Sequence, residues 1–389
     1  MKLHTTLISG GLVTAVMADQ TPATRLRRLK ADSKASKRSS SSKAAKSSKS
    51  SYSYSSSMSY GPPPTPPSPV PPTPLPTPPP TGTPRPTPVP TMAPTGCCDS
   101  AAIRQNILDT VYPDGDASIF ENSPQKEAIE WLEHDACECG LFCENVDRLV
   151  QRYILAVLYY STQGDSWNAC SAPADMQDTE VCINYFYEGY KWLTCSAECS
   201  IYNDDDIIQL GWAGTECNSN NELIGIEIPA NNLGGQLPAE LVSLPKLRLL
   251  ALDQNYIGGN IPSSFGGLVE LERLLLARNF LSGPLFDVSG MTNLQHLDLN
   301  GNSLEGSIEG LGWENTNLHF LDLSKNAFTG PIAPEIGSIP TLGIVAMHCN
   351  QFDIEPAVNW ANCPAVIFQA DDDICDSANC PCSLRFACN

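Results

Sequence analysis

A period constrains this chain more than any other feature. Asparagines at Asn231, Asn255, Asn279, Asn302, Asn326 and Asn350 follow one another at intervals of 24, 24, 23, 24 and 24 residues. Around them the text recurs as LRLLALDQNYIGGNIPSSFGGL, LERLLLARNFLSGPL, LQHLDLNGNSLEGSI and LHFLDLSKNAFTGPI. A unit this short cannot bury its apolar residues alone, so units of this kind must stack. Pairs such as Leu250 with Leu252, or Leu297 with Leu299, alternate as they would on a short strand with one face inward. Each Asn stands where its coil turns, and its amide can satisfy backbone groups there, which makes the six a structural ladder. Gly259, Gly283, Gly306 and Gly330 then permit the turn toward the convex side. The prediction is an α/β solenoid, a horseshoe of six coils over residues 223–352 with a parallel sheet on its concave side.

The recurring LxxLxLxxNxLxGxIP resembles the plant-type leucine-rich repeat. Residues 152–168, RYILAVLYYSTQGDSWN, and 211–217, GWAGTEC, are similar to the N-terminal cap of that family, where a helix precedes a W-x-G-x-x-C motif entering the first strand. Upstream, SPQKEAIEWLEHD resembles the helix that precedes this cap in secreted leucine-rich repeat proteins of diatoms and other stramenopiles. In it Ser123 suits an N-cap, with Pro124 at the first helical position. The resemblance covers roughly residues 120–352 and departs from the plant pattern in carrying ten cysteines ahead of the repeats instead of a pair.

All sixteen cysteines lie between Cys97 and Cys388, ten before the repeats and six from Cys349 onward. Both sets are even, so a helical, disulfide-rich N-terminal cap over 97–222 and a disulfide-rich C-terminal cap over 353–389 are expected to pair separately. Cys349 with Cys363 is the expected C-terminal bridge, since Cys363 lies just beyond the last coil. Neither Cys137, Cys139 and Cys143 nor Cys380, Cys382 and Cys388 has a standard zinc spacing, and disulfides account for them better than metal. No cofactor is called for.

Residues 1–18 read as a signal peptide, with an apolar run from Leu7 to Ala18 too short to span a bilayer. No later stretch reaches the roughly twenty apolar residues of a membrane helix. A secreted, extracellular or cell-wall location follows, and it agrees with the cysteine usage.

Between that segment and the first cysteine the charge reverses. Residues 19–96 hold eleven Lys or Arg against Asp19 and Asp32, while residues 97–389 hold eleven against forty-one acids. Nucleic acid is therefore a poor partner for the body. Residues 19–60 form a basic Lys/Ser-rich tail, and fifteen serines within 33–60 leave too little apolar surface to order it. Residues 61–96 form a Pro/Thr-rich linker, with eighteen prolines within 61–94 favouring polyproline II. Lys34, Lys37, Lys43, Lys46 and Lys49 resemble the K-x-x-K serine-rich motifs of silaffins, and Arg27-Arg28-Leu29 their R-x-L processing site. That resemblance implies anchoring to an anionic wall polymer or silica. A basic linker without a target is the plain alternative.

No nucleophile elbow, phosphate loop or paired-carboxylate motif appears, so the reading is not an enzyme. The acidic triplets Asp204–Asp206 and Asp371–Asp373 lack the pattern of a calcium loop. His296, His319 and His348 take different positions within their repeats and form no single column. What the repeats offer is a concave surface. Its candidate binding residues are Arg248, Asp253 and Gln254, then Arg273 and Arg278, then His296, Asp298 and Asn300, then His319, Phe320, Asp322 and Lys325, and finally His348. An ordinary solvated strand face fits the same residues. Solenoids nevertheless bind through such surfaces, and the reading is an extracellular binding protein for a protein or polysaccharide ligand, held to wall or matrix by its tail. A structural or silica-associated wall protein is the alternative, with a secreted hydrolase as a third class.

Overall fold

The computed structural model describes residues 99–139, 145–184, 186–203, 206–353 and 367–369. The expected signal peptide, tail and linker and most of the expected C-terminal cap lie outside these residues, as does Cys363.

Three helices open the described chain. Helix α1 runs from Ser100 to Val111, and Asp99 caps it by accepting the Ala101 amide. Helix α2 runs from Gln125 to Glu138. Pro124 itself takes the N-cap position there, one residue later than the sequence suggests, and the Ser123 hydroxyl donates to Glu127 at 2.8 Å. Helix α3, Val146–Ser161, begins at Asn145, whose side chain accepts the Arg148 amide. It is buried nearly all round, from Leu149 to Tyr159, because α1 and α2 cover one side and the first coils the other.

Six concave strands follow at Leu223–Glu227, Leu249–Ala251, Arg273–Leu275, His296–Asp298, Phe320–Asp322 and Ile344–Ala346. All pair in parallel, and Ile226, Leu250, Leu274, Leu297, Leu321 and Val345 share one register row, each fully buried. The sheet does not stop at the sixth coil: Ile367–Gln369 adds a seventh parallel strand, Ile344 opposite Ile367. At its other end Thr215–Cys217 pairs antiparallel with the first strand. A second parallel sheet follows the turn after each Asn, with strands Gly258–Asn260, Phe280–Pro284, Ser303–Gly306, Ala327–Gly330 and Gln351–Phe352. Short 3-10 turns such as Ser263–Gly267 and Pro334–Ser338 close the convex side. A leucine-rich repeat solenoid is the fold, with one core continuous from α1 to the last coil.

The asparagine amides explain why the coils stay in register. Asn279 Nδ2 donates to Leu252 O of the preceding coil at 3.0 Å and to Leu276 O of its own at 3.1 Å, while its oxygen accepts the Ile257 amide at 3.1 Å. Asn255, Asn302, Asn326 and Asn350 repeat this pattern. Asn231 has no preceding coil and bonds Ala169 of the cap through both its oxygen and its nitrogen.

Within the cap, Cys139–Cys195, Cys170–Cys182 and Cys199–Cys217 are bridged. Cys137 and Cys349 are also in disulfides. Asp135 approaches the first of these bridges, but both of its cysteines are oxidised and neither offers a thiolate to a metal. A buried charge network fixes the cap: Arg152, fully buried, donates to both oxygens of Asp135 at 2.7 Å and lies over the rings of Trp212 and Trp131. Glu198, also fully buried, takes the Arg148 guanidinium.

Candidate binding surface

The register sorts the outward residues into columns. On the strands themselves, Arg273, His296 and Phe320 stand in one row, between Leu249 and Ile344. Asp298 and Asp322 stand in the other outward row, which begins with Glu227 and includes Ala251, Leu275 and Ala346. Arg248 and His319 immediately precede their strands and are exposed. Asp253, Asn300 and His348 follow theirs by two residues and are half-buried.

Three corrections to the expected surface follow. Phe320 is only 3% exposed, packed against His296 with ring centroids 6.3 Å apart, so it supports the face instead of presenting itself. Gln254, Arg278 and Lys325 leave the sheet. Each is exposed, with left-handed backbone at φ 58°, 56° and 55°, on the turn that leads into the ladder Asn. Arg273 is half-buried and not freely exposed. Sequence reasoning also passed over Glu227, which the period alone could have found, since it stands four residues after Leu223, as Asp298 does after Leu294 and Asp322 after Leu318.

His296 and His319 sit on diagonal positions of neighbouring coils, yet their rings stack at 6.5 Å. His319 Nδ1 meets Asn317 O at 2.9 Å, whereas His296 Nδ1 is enclosed without a hydrogen-bond partner. Burial, with Arg273 and His319 nearby, holds His296 below the usual histidine range. The carboxylates move the other way. Burial pushes Asp298 up to about 7, and Asp322 opposite it adds to the rise. Burial likewise raises Glu227 to about 7 against the pull of Arg273, and it raises Asp253. Asp322 Oδ1 accepts from the backbone and hydroxyl of Ser324, which fixes the carboxylate. The face thus carries a basic and aromatic flank of Arg248, Arg273, His296 and His319 beside an acidic row.

Fold and surface together define a leucine-rich repeat protein with a charged concave face. The Leucine Rich Repeat family model matches residues 246–268, 293–312 and 317–339. No curated protein matches the chain. Among solved structures it is similar to the plant peptide hormone receptor RGFR1 in complex with RGF2, at 33% identity over 38% of this chain and 24% of that one, with a TM-score of 0.36. It is also similar to the leucine-rich repeat ectodomain of the Arabidopsis receptor kinase HAESA with an extended IDA peptide hormone. There the identity is 26% over 39% of this chain and 26% of that one, with a TM-score of 0.36. A third likeness, to PEPR1–AtPEP1, covers 62% of this chain and 34% of that one at 21% identity and a TM-score of 0.42. This chain therefore spans about a quarter of the length of the first two receptors. No helix among the described residues is long and apolar enough to cross a membrane.

Proposed function

We propose that the protein is an extracellular, non-enzymatic binding protein whose concave strands recognise an extended peptide or a loop of another protein. One observation carries this: Arg273 on one outward row, with the polar His296 beside it, and Asp298 and Asp322 on the next set a cation and acidic side chains side by side over three consecutive coils. A polar chain of mixed charge laid across the coils would meet both signs, and such complementarity gives specificity and speed of association more than raw affinity. Three disulfides in the described cap agree with secretion. The test is capture of extracellular peptides and proteins by the full chain, compared with Arg273→Gln and Asp322→Asn. Each variant should lose capture about tenfold or more while unfolding near the parent temperature, because changes at partly exposed sites usually cost little stability. Equal capture by both variants sinks the concave reading.

The Lys/Ser tail belongs to the same proposal on sequence grounds. A tail and linker with nine more basic than acidic residues, on a body with thirty more acidic than basic ones, suit attachment to an anionic wall polymer or mineral that the body itself avoids. Deleting residues 30–60 should release the protein from such a surface, and raised salt should do the same to the intact chain. Retention without the tail would transfer anchoring to the solenoid.

A further inference from the structure

Outside the strand face, the turns around the asparagine ladder form a ridge, and coil four interrupts it. In the position before the ladder Asn, coils two to five carry Gln254, Arg278, Gly301 and Lys325, and all four have left-handed backbone. In the position after it they carry Tyr256, Phe280, Ser303 and Ala327. Successive strands lie about 4.8 Å apart. Gly301 therefore leaves a gap between two cations whose backbones are roughly 10 Å apart, and a Cβ on it would lie 3.6 Å from Arg278 Cγ, so the arginine stem borders this gap. On the other side of the ladder Asn, the small Ser303 follows the large Phe280.

Phe280 is 60% exposed and Tyr256 58%, their rings stacked at 5.9 Å and inclined by 25°. Tyr256 covers one face of Phe280, and the equivalent position of the next coil is the small Ser303, whose backbone pairs with Ser282. Arg278 and Lys325 are exposed and form no ion pair within 4.0 Å among the described residues. The carboxylates that Arg278 influences, Asp253 and Asp298, belong to the strand side, and the residues between that side and the gap in coils four and five are the neutral Asn300 and Ser324.

We propose that this notch binds one ring of an acidic polysaccharide, a pyranose bearing a carboxylate or a sulfate ester. Phe280 stacks on the C–H face of the ring, Arg278 and Lys325 hold the anion, and the Ser303 hydroxyl meets a ring hydroxyl. An aromatic face alone would accept any neutral ring. Arg278 and Lys325, in the coils on either side of Gly301, set the sign of the ligand, and a body with only eleven bases against forty-one acids has few other cations to draw a polyanion. This site lies beside the strand face and does not depend on what that face binds.

The experiment is calorimetric titration of the full chain with hexagalacturonate, its methyl ester, a sulfated galactan oligomer and the neutral galactan. Phe280→Ser changes no charge, so any contribution from the basic tail stays constant. It should weaken the acidic oligomers about three- to tenfold, the range of an aromatic contact, at unchanged unfolding temperature. Arg278→Gln with Lys325→Gln should weaken them further, and the ester and neutral oligomer should bind poorly to every form. A response of the sulfated oligomer alone to these changes identifies the anion as sulfate, and a response of hexagalacturonate alone identifies it as carboxylate. If Phe280→Ser binds every oligomer as the parent does, or if the neutral oligomer binds as well as the acidic ones, the notch is not this site.

Discussion

Asp298 and Asp322 stand directly opposite one another in the parallel ladder of coils four and five, with no cation in an ion pair with either among the described residues. Like charges so placed repel, and burial adds to the cost of ionising them. Two consequences follow. A ligand bound as proposed would gain by bringing positive charge to this point, and the stability of the fold varies with pH.

Asp298 and Glu227 are raised to about 7 in the fold, against ordinary values of about 4 in an unfolded chain. The folded form therefore holds extra protons between about pH 4 and 7, and these groups' contribution to stability is full below that window and lost as pH rises through it. His296 is lowered, so it acts oppositely, withdrawing stability as pH falls below about 6.5. Asp298→Asn should stabilise the protein at pH 8 by about 1 kcal/mol, discounting for partial solvent exposure, and leave it unchanged at pH 4. Denaturant midpoints across this range would check it; an unaltered slope would show that the pair does not share this strain.

Removing a ladder amide should be costly in proportion to its burial. Asn279→Ala leaves the Leu252 and Leu276 carbonyls and the Ile257 amide without their side-chain partner. A loss of about 2 to 4 kcal/mol is expected, from roughly 1 to 3 kcal/mol for each buried group left unsatisfied, partly relieved by water. Urea unfolding measures it, and hydrogen exchange should show the Ile257 amide opening first.

How much of this was legible beforehand depended on distance along the chain. A 24-residue spacing writes itself into the sequence, so the six coils, the inward leucines and the amide ladder could be placed without coordinates. The ridge could not, because Phe280 reads as one more apolar residue of a repeat until its exposure and its stacking on Tyr256 are seen. Phe320 failed the other way: its position faces out, yet packing on His296 encloses it. The seventh strand carries no Asn of the period, and only pairing with Ile344–Ala346 reveals it.

The cap network was equally hidden, since Arg152 meets Asp135 across 17 residues and Glu198 lies further still. Arg152→Met would strand Asp135 in the core, while Glu198 keeps Arg148, and a loss of about 3 to 5 kcal/mol is expected. Replacing Asp135 by Asn in the same chain should recover much of it, which thermal unfolding of the single and double variants can decide. Failure to recover would mean that the guanidinium acts through Trp131 and Trp212 instead.

Peptide mapping of the unreduced protein should find every bridge confined to one cap, none joining a cysteine before residue 218 to one after residue 348. Cys139–Cys195, Cys170–Cys182 and Cys199–Cys217 should appear intact. One abundant cross-cap bridge would overturn the separation.

Each ladder amide serves its own coil and the one before it, and only Asn231 departs from this, by reaching into the cap at Ala169. The bonding therefore carries no ordinal information: a coil in the middle cannot tell whether it is third or fifth. Whole units could be gained or lost between the caps without orphaning a single amide, whereas a shift of a few residues would break the rule at once. Lineages of such a chain would change length in steps of one turn of the solenoid, and their binding faces would lengthen or shorten by one column at a time.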